Sequence, residues 1–182
     1  IFLYGDNNKN LLYLTGFGGI DGIFVVTPKK SFLCVDSRYI GTVKKEVKGP
    51  KVFDIGLSIG LMGALPKALK LAKVNRKSKV GYESGKTSIL RLKSFKKYYK
   101  TNFVPTHNIV ESFRVVKDEN EIKEIRFACR ITDEVFKEIS KTIRAGISEN
   151  SLAAEIDYKL RLKGGSGSSF ATIVASGPNS AI

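Results

Sequence analysis

One segment of the sequence resembles a phosphate-binding loop. Residues 81–87, GYESGKT, follow an apolar, strand-like stretch and end in Gly-Lys-Thr. A phosphate-binding loop needs four residues between its two glycines so that successive backbone amides curl around the phosphate, whereas three residues separate Gly81 from Gly85. The spacing therefore does not predict a nucleotide site.

A second glycine-rich run, residues 16–22, is only loosely similar to a dinucleotide-binding fingerprint. Its third glycine comes one position late, and the run precedes a predicted strand instead of opening a helix. No helix N-terminus would then face a pyrophosphate. We interpret the run as a turn in which the backbone passes close to a neighbour.

His107 is the only histidine, so it is the only imidazole that could activate a serine nucleophile. It follows Pro105 in a predicted connection, outside any recognisable pocket motif, and we interpret it as structural or exposed. One histidine and two cysteines cannot form a zinc site of the common His/Cys type. The cysteines, Cys34 and Cys129, lie far apart in apolar surroundings, which predicts two buried free thiols.

Carboxylates cluster between Asp118 and Glu124, at the start of a predicted helix. Negative side chains in a first turn complement the helix dipole, so they need no catalytic explanation. Asp118 followed three residues later by Glu121 is also the pattern of a capping box.

The elements that must position these residues alternate between strands and helices up to Pro105, as in an α/β domain. Pro28 and the lysines after it predict a hairpin turn between two apolar, β-branched runs. The predicted strands cover 1–4, 22–27, 31–36, 51–55, 79–83 and 102–105, and the predicted helices cover 37–48, 61–72 and 88–100.

Beyond residues 106–109 the pattern changes to long helices, which predicts two domains, 1–107 and 108–182. A helix of about seven turns is predicted from Asp118 to Gly146. Its expected buried face holds Ile122, Ile125, Cys129, Thr132, Phe136, Ile139 and Ile143. Ser148 should cap a second helix that carries Leu152, Ile156 and Leu160 on one side, followed by a flexible loop at 164–169 and a strand at 170–176.

The formal net charge of +14 raises the hypothesis of nucleic-acid binding. The lysines are scattered along the sequence, however, and in the one dense run, Lys93 to Lys100, helical spacing places Phe95, Tyr98 and Tyr99 on one apolar stripe. We therefore prefer a solvated amphipathic helix and expect no nucleic-acid partner. No apolar stretch approaches the roughly 20 residues that a membrane helix needs, and residues 1–4 suggest a strand whose start is missing.

Two ordered blocks of the sequence resemble one family. The first block holds Tyr13-Leu14-Thr15-Gly16-Phe17, Asp21-Gly22, the predicted hairpin and Asp36-Ser37-Arg38-Tyr39. The second holds Val115, Lys117, Glu121-Ile122, Ile125-Arg126, Ala128, Gly146, Ser169-Phe170 and the run from Ile173 to Ala181. Their order and spacing are similar to the amino-terminal domain of creatinases, prolidases and Xaa-Pro aminopeptidases, followed by the opening of the pita-bread domain.

The resemblance implies an α/β fold in which a creatinase-type amino-terminal domain, with a mixed sheet and flanking helices, precedes the first helices and strand of a pita-bread α+β catalytic domain. It implies a proline-specific metallopeptidase that hydrolyses the peptide bond before proline with two divalent ions of the manganese or cobalt type. A hydroxide that bridges the ions would attack the carbonyl.

The family's five metal ligands, two aspartates, a histidine and two glutamates, are expected after Ile182. The resemblance thus implies no catalytic residue and no metal ligand in this chain, which alone should be inactive. Phe170 matches a position that lines the pocket for the substrate's first side chain, although a core aromatic is an equal explanation. Arg38 stands where it could reach the active site of a partner subunit, although a surface ion pair with Asp36 or another acid is preferred.

The resemblance also implies proline-containing peptides as substrates, a homodimer, a cytoplasmic location and no membrane association. Two alternatives stay open. One is a non-catalytic binding protein with the pita-bread fold, suggested by the net charge of +14. The other is a metal-free hydrolase of the creatinase type, since that branch shares both domains.

Overall fold

The computed structural model describes residues 2–4, 8–18 and 22–181, and the chain forms two compact units, Ile1–Val115 and Val116–Ile182. In the first unit the strands are β1 (Phe2–Tyr4), β2 (Gly22–Val26), β3 (Ser31–Val35), β4 (Lys51–Asp54), β5 (Lys79–Glu83) and β6 (Asn102–Thr106). Its helices are α1 (Lys9–Thr15), α2 (Ile40–Glu46), α3 (Gly56–Leu71), α4 (Ile89–Tyr98) and α5 (Ile109–Val115). The second unit contains α6 (Glu119–Ile139), α7 (Glu149–Leu162) and a 3₁₀ turn at Gly177–Ala181.

The six strands form one mixed sheet in the order β4-β3-β2-β1-β5-β6. β2 runs antiparallel to both of its neighbours, and the other pairs are parallel. The predicted strands and the hairpin between β2 and β3 are confirmed. Of the predicted segments, Ile1 and residues 19–21 lie outside the described residues.

Helices cover both faces of the sheet, which explains why its central strands are apolar at nearly every position. Along β2, Ile23 and Val25 contribute to a cluster with α3 and α4, whereas Phe24 contributes to a cluster with α1, α2 and α5. Successive strand residues point to opposite faces, so one apolar run supplies two cores.

The chain divides eight residues after the division predicted at His107, because α5 belongs to the first unit. Val110 on this helix is 5% exposed and packs in the same cluster as Leu11 and Phe24. The helix is thus a covering layer of the sheet.

The predicted basic helix is α4, with Ser88 as its N-cap. The predicted apolar stripe is wrong at one position, because Phe95 is fully buried whereas Tyr98 is 59% exposed. Tyr99 already lies beyond the helix, in extended backbone, and its hydroxyl donates a hydrogen bond to the Val74 carbonyl at 2.6 Å. Helical spacing therefore no longer applies to Tyr99.

Both helices of the second unit begin at predicted caps. The Asp118 carboxylate accepts hydrogen bonds from the backbone N–H groups of Asn120 and Glu121, while the Glu121 carboxylate accepts one from the Asp118 N–H at 2.8 Å. The Ser148 hydroxyl accepts a hydrogen bond from the Ser151 N–H at 3.1 Å. The capping box and the second cap are confirmed.

The predicted buried face of α6 is largely wrong. The buried positions are Ile131, Val135 and Ile139, which pack with Leu152 of α7. Phe136 is 70% exposed, and α6 ends at Ile139 instead of reaching Gly146. The sequence displays an apolar surface wider than one neighbouring helix can cover, so periodicity alone cannot say which strip α7 contacts.

Ion pairs also join α6 to α7. Glu138 on α6 contacts Lys159 and Lys163 on α7, each at 2.9 Å. Hydrogen bonds, first from Lys163 and then from Lys159, lower the pKa of Glu138 to about 2. The contact fixes which side of α6 faces α7.

Two further expectations for the second unit are wrong. Residues 170–176 form no strand, because no segment among residues 116–181 pairs with them through a backbone ladder. Cys129 is exposed on α6, whereas Cys34 is buried as predicted. Burial raises the pKa of the Cys34 thiol to about 11, so this thiol is protonated at neutral pH.

In the ranges that the structure covers, no helix is both long and apolar enough to cross a membrane.

Replacing Asp118 with alanine is expected to lower the free energy of unfolding by about 1 kcal/mol, because the capping box loses its central acceptor. Chemical denaturation, followed by circular dichroism, would measure the change. Asp133→Ala, at an exposed interior position of the same helix, is the matched control and should change stability by less than about 0.5 kcal/mol. Equal losses in the two variants would contradict the role of the cap.

Candidate functional site

The first unit has a topological switch point between β1 and β5. These neighbouring parallel strands are followed by helices on opposite faces, α1 on one and α4 on the other. In sheets of this kind a crevice opens beyond the carboxyl ends of the strands at the switch point, and ligands commonly bind there. A small cavity of about 180 Å³ lies at this edge, lined by Glu83, Gly85, Lys86 and residues 106–111.

Asn10 occupies the centre of this edge and is fully buried. Its Nδ2 amide donates to Oε1 of Glu83 and to Oε1 of Glu111, the latter at 2.7 Å, while its Oδ1 accepts from Arg114 Nη1 at 2.9 Å. Asn8, also buried, donates a further hydrogen bond to Glu83 Oε2 at 2.7 Å. We call Asn8, Asn10, Glu83, Glu111 and Arg114 the amide–carboxylate network.

The network ties three elements together, since its members come from the start of α1, the end of β5 and α5. The hydrogen bond from Asn10 is the main cause that lowers the pKa of Glu111, so this carboxylate is ionised at neutral pH. Each polar atom of the Asn10 amide has a partner, which makes the network a means of fixing α1 and α5 to the sheet.

Ser84 and His107 meet beside the same cavity. The Ser84 hydroxyl lies 3.0 Å from His107 Nδ1 and also contacts the Thr106 carbonyl at 3.2 Å. His107 is exposed, as expected. In the described part of the chain no carboxylate hydrogen bonds to the ring, so the pair lacks the third group that orients the base in a catalytic triad.

Arg38 follows β3 at the same edge of the sheet. Its guanidinium contacts the Asp36 carboxylate, with Nη2 2.6 Å from Oδ2, and lies over the Tyr39 ring at 5.2 Å. Hydrogen bonds from the Arg38 side chain are the main cause that lowers the pKa of Asp36. The expected ion pair is therefore present, while the role towards a partner subunit stays a prediction.

In the second unit Phe170 lines an apolar groove of about 600 Å³ between α6, α7 and the loop after α7. Its side chain is 72% exposed, so Phe170 is not the core aromatic that was one of the two explanations. Ile131, Val135 and Ile156 form part of the groove floor. Such a surface accepts apolar groups and offers them few polar partners.

The groove rim is shaped by the way α7 ends. Gly164 has φ +94°, and the Gly165 N–H donates to the Leu160 carbonyl at 3.0 Å, as in a Schellman motif. A side chain at Gly165 would place its Cβ 2.9 Å from the Leu160 carbonyl oxygen, so only glycine fits. The predicted loop at 164–169 thus begins with two residues fixed by the helix end.

Two carboxylates of α7 hold the segment after this loop. Asp157 accepts hydrogen bonds from the hydroxyl groups of Ser168 and Thr172. Two turns earlier, Glu149 accepts from the Ser176 N–H at 2.6 Å and from the Asn179 amide at 2.9 Å. These bonds lower the pKa of both carboxyl groups, and they lay the segment along α7 without a strand partner.

The residues that the structure describes do not fit a metal centre. Among the described residues, no group of three or more histidine, cysteine, aspartate or glutamate side chains is placed to hold a metal ion. The carboxylates of the amide–carboxylate network are paired with amide donors, and Glu149 and Asp157 are paired with hydroxyl, amide and backbone donors.

Arg38 belongs to the first unit and Phe170 to the second, so each is described within its own unit. Sequence reasoning missed the amide–carboxylate network and the pairing of Ser84 with His107. One signal was available for the network, because Glu83 ends a predicted parallel strand, the position from which side chains reach a switch-point crevice.

Family comparisons cover both units. A family model described as the Creatinase/Prolidase N-terminal domain matches residues 2–116, and one described as Metallopeptidase family M24 matches residues 123–182.

Curated relatives have about twice the length of this chain. The peptidase YqhT of Bacillus subtilis is 31% identical over 97% of this chain and 49% of its own length. The Xaa-Pro dipeptidase of Pyrococcus horikoshii is 25% identical over 96% of this chain and 47% of its own length. The chain therefore spans about half the length of the curated relatives that it matches.

Solved structures with similar folds are peptidases as well. A Xaa-Pro dipeptidase from Bacillus anthracis matches all of this chain and 50% of its own with a TM-score of 0.87 and 28% identity. An X-Pro aminopeptidase from Thermotoga maritima matches all of this chain and 52% of its own with a TM-score of 0.85 and 28% identity. Together with the sheet and the two compact units, these matches show that the chain belongs to the creatinase/prolidase family of metallopeptidases, with its amino-terminal domain and the first part of its M24 pita-bread domain.

Proposed function

We propose that the chain is part of a metal-dependent peptidase that hydrolyses the peptide bond before proline. The observation that carries the proposal is the family match over residues 2–116 and 123–182, supported by relatives named Xaa-Pro dipeptidase and X-Pro aminopeptidase. The substrates are peptides with proline in the second position.

The ligands of the ions come from the rest of the whole protein, as the resemblance to the family implies. No step of hydrolysis is assigned to a side chain of this chain, which alone is inactive. In the whole protein the ions are two divalent cations of the manganese or cobalt type. The protein is a cytoplasmic homodimer.

This chain contributes binding surface and framework. Phe170 contacts the first side chain of the substrate, a role supported by its exposure in an apolar groove. Glu149 orients Ser176 and Asn179 and thereby fixes the segment that continues from Phe170. Arg38 reaches a partner subunit only if its ion pair with Asp36 opens.

Alanine release from Ala-Pro and from Ala-Pro-Ala, with Ala-Ala as the control peptide, tests the proposal. We expect the full-length protein with Mn²⁺ to cleave the bond before proline and to leave Ala-Ala intact, and the 182-residue chain to release nothing. Chelation should abolish turnover and added Mn²⁺ should restore it. Turnover of Ala-Ala at an equal rate, or no turnover of either proline peptide with Mn²⁺ or Co²⁺, would refute the proposal.

A further inference from the structure

The net positive charge of the chain arises entirely from the first unit. Residues 1–115 contain 21 lysines and arginines and seven aspartates and glutamates, whereas residues 116–182 contain ten of each class. The net charge of +14 is therefore the charge of the α/β unit.

In the folded unit, many of these basic side chains lie at one edge of the sheet. Five of the six strands are parallel, so their amino ends and the loops that lead into them lie at one edge of the sheet. We call this set of side chains the basic edge. It consists of Lys29, Lys30, Lys48, Lys51, Lys73, Arg76, Lys77, Lys79 and Lys100. All nine side chains are exposed, and the segments that carry them, 27–31, 47–51, 72–79 and 99–102, contain no acidic residue.

Three acidic residues collect at the opposite edge, whereas Glu46, the last residue of α2, directly precedes the basic segment 47–51. Asp36, Asp54 and Glu83 stand at the carboxyl ends of β3, β4 and β5. Glu83 is four residues along β5 from Lys79, which places it about 13 Å away at 3.3 Å per residue. In the part of the chain that the structure describes, no ion pair joins a side chain of the basic edge to a carboxylate.

Hydrogen bonds hold the most densely charged part of this edge in place. The Thr101 hydroxyl donates to the carbonyls of Asn75 and Ser78, at 3.0 and 2.8 Å, and so joins the loop before β5 to the loop before β6. Arg76 and Lys100 line one open hollow between these loops. Charges that are far apart in sequence are thus fixed side by side.

We propose that the basic edge binds the sugar–phosphate backbone of single-stranded nucleic acid. Six strands spaced about 4.8 Å apart give a row of positive charges about 24 Å long, which suits a linear polyanion. Tyr98, 59% exposed at the end of α4 beside Lys96 and Lys97, offers a ring on which a base can stack. Contacts with phosphate carry no base information, so binding is independent of sequence.

A membrane is the less suitable partner. A surface that inserts into lipid needs a continuous apolar face. Leu71 and Tyr98 are exposed at the ends of α3 and α4 that lead towards the basic edge, whereas Ile89 and Leu90 lie at the other end of α4. The lysines are scattered along the sequence, and the strand directions bring nine basic side chains to one edge of the sheet.

Fluorescence anisotropy with a labelled 20-nucleotide oligouridine tests the proposal on the full-length protein. Raising KCl from 50 to 200 mM should weaken binding about 100-fold if five phosphates are contacted. The edge variant, Lys73→Gln, Arg76→Gln, Lys77→Gln and Lys100→Gln together, should bind at least about tenfold more weakly at 50 mM, with a salt slope smaller by about 3. Tyr98→Ala should weaken binding by about fivefold or more.

The matched control removes four positive charges that do not belong to the basic edge. It combines Lys9→Gln, Lys123→Gln, Lys137→Gln and Lys141→Gln, all at exposed positions. We expect its affinity within about twofold of the wild type, because phosphate contacts act at short range in salt. A control as weak as the edge variant, or no binding of RNA at 50 mM KCl, would overturn the proposal.

Two other probes separate nucleic acid from other polyanions. A 20-residue polyglutamate and vesicles with 30% phosphatidylserine are measured under the same conditions. Weaker binding of both supports the proposal. If either probe binds more tightly than the RNA, and if the edge variant weakens that binding, the basic edge is assigned to an acidic protein or to a membrane. If Tyr98→Ala leaves the affinity for RNA unchanged, stacking of a base of single-stranded nucleic acid on Tyr98 is excluded.

Discussion

Replacing Asn10 with alanine is expected to lower the free energy of unfolding of the first unit by about 3 kcal/mol. The substitution removes both donors that serve the carboxylates of Glu83 and Glu111 and the acceptor that serves Arg114. Hydrogen bonds to charged groups each contribute about 1.5–3 kcal/mol. The summed loss is reduced because Glu83 keeps its bond from Asn8 and because water reaches the half-buried carboxylates.

Chemical denaturation at pH 7, followed by circular dichroism, measures this effect. Asn102→Ala is the matched control, since it removes the same amide from an exposed position at the start of β6. It should change stability by less than about 0.5 kcal/mol. A loss below 1 kcal/mol for Asn10→Ala would show that the network does not hold α1 and α5 to the sheet.

Asn10→Asp separates hydrogen bonding from packing. The two side chains have nearly the same shape, but aspartate replaces the amide donors with a third carboxylate that faces Glu83 and Glu111. We expect a loss at pH 7 that exceeds the loss for alanine. Protonation should relieve the repulsion, so the Asn10→Asp variant should recover part of its stability as pH falls, whereas a pure packing effect would not depend on pH.

Glu111 makes one contribution to the pH dependence of the wild type. Its folded pKa is lowered from the ordinary value of 4.5, first by the hydrogen bond from Asn10, so its stabilisation is present above pH 4.5 and is lost as pH falls through the folded pKa. Asn10→Ala lacks, at every pH, the part of this stabilisation that the Asn10 hydrogen bond supplies. The stability difference between wild type and variant should therefore shrink below pH 4.5.

Local sequence patterns were sufficient to predict the strands of the sheet and the residues at which the helices of the second unit begin. The runs at β2 and β3 are apolar and β-branched and are separated by a proline turn, and Asp118 with Glu121 specifies a cap within four residues. Each of these features is decided by neighbours in sequence. The family resemblance was likewise readable, because its two blocks keep their order along the chain.

The amide–carboxylate network was not predictable from the same patterns. Asn10 is 104 residues from Arg114 and 73 from Glu83, so no periodicity relates them. The carboxyl end of a parallel strand indicates only where side chains gather, not which of them pair. The basic edge illustrates the same limit, since nine dispersed positive residues become neighbours only when the strand directions are known.

The error on α6 has a different cause. Periodicity predicted a buried face with Phe136, whereas the structure buries Val135 and exposes 70% of Phe136. Both positions belong to one broad apolar surface, and the ion pairs of Glu138 with Lys159 and Lys163 help to decide which part meets α7. A periodic pattern thus gives the width of an apolar face, and the partner selects the strip that is covered.

On α4, a comparison of Phe95 with Tyr98 tests whether every position of an apolar helix face is buried or only the part that a neighbour covers. Phe95 is fully buried among residues of β5, β6 and α3, and Phe95→Ala should lower the free energy of unfolding by about 3–5 kcal/mol through lost burial and the cavity left behind. Tyr98→Ala, on the same helix but at a 59% exposed site, should cost less than about 0.5 kcal/mol. Urea denaturation of the two variants measures both values. Similar losses would mean that the whole aromatic stripe is buried, as the helical spacing alone predicts, and Tyr98 would then be unavailable to stack on a base.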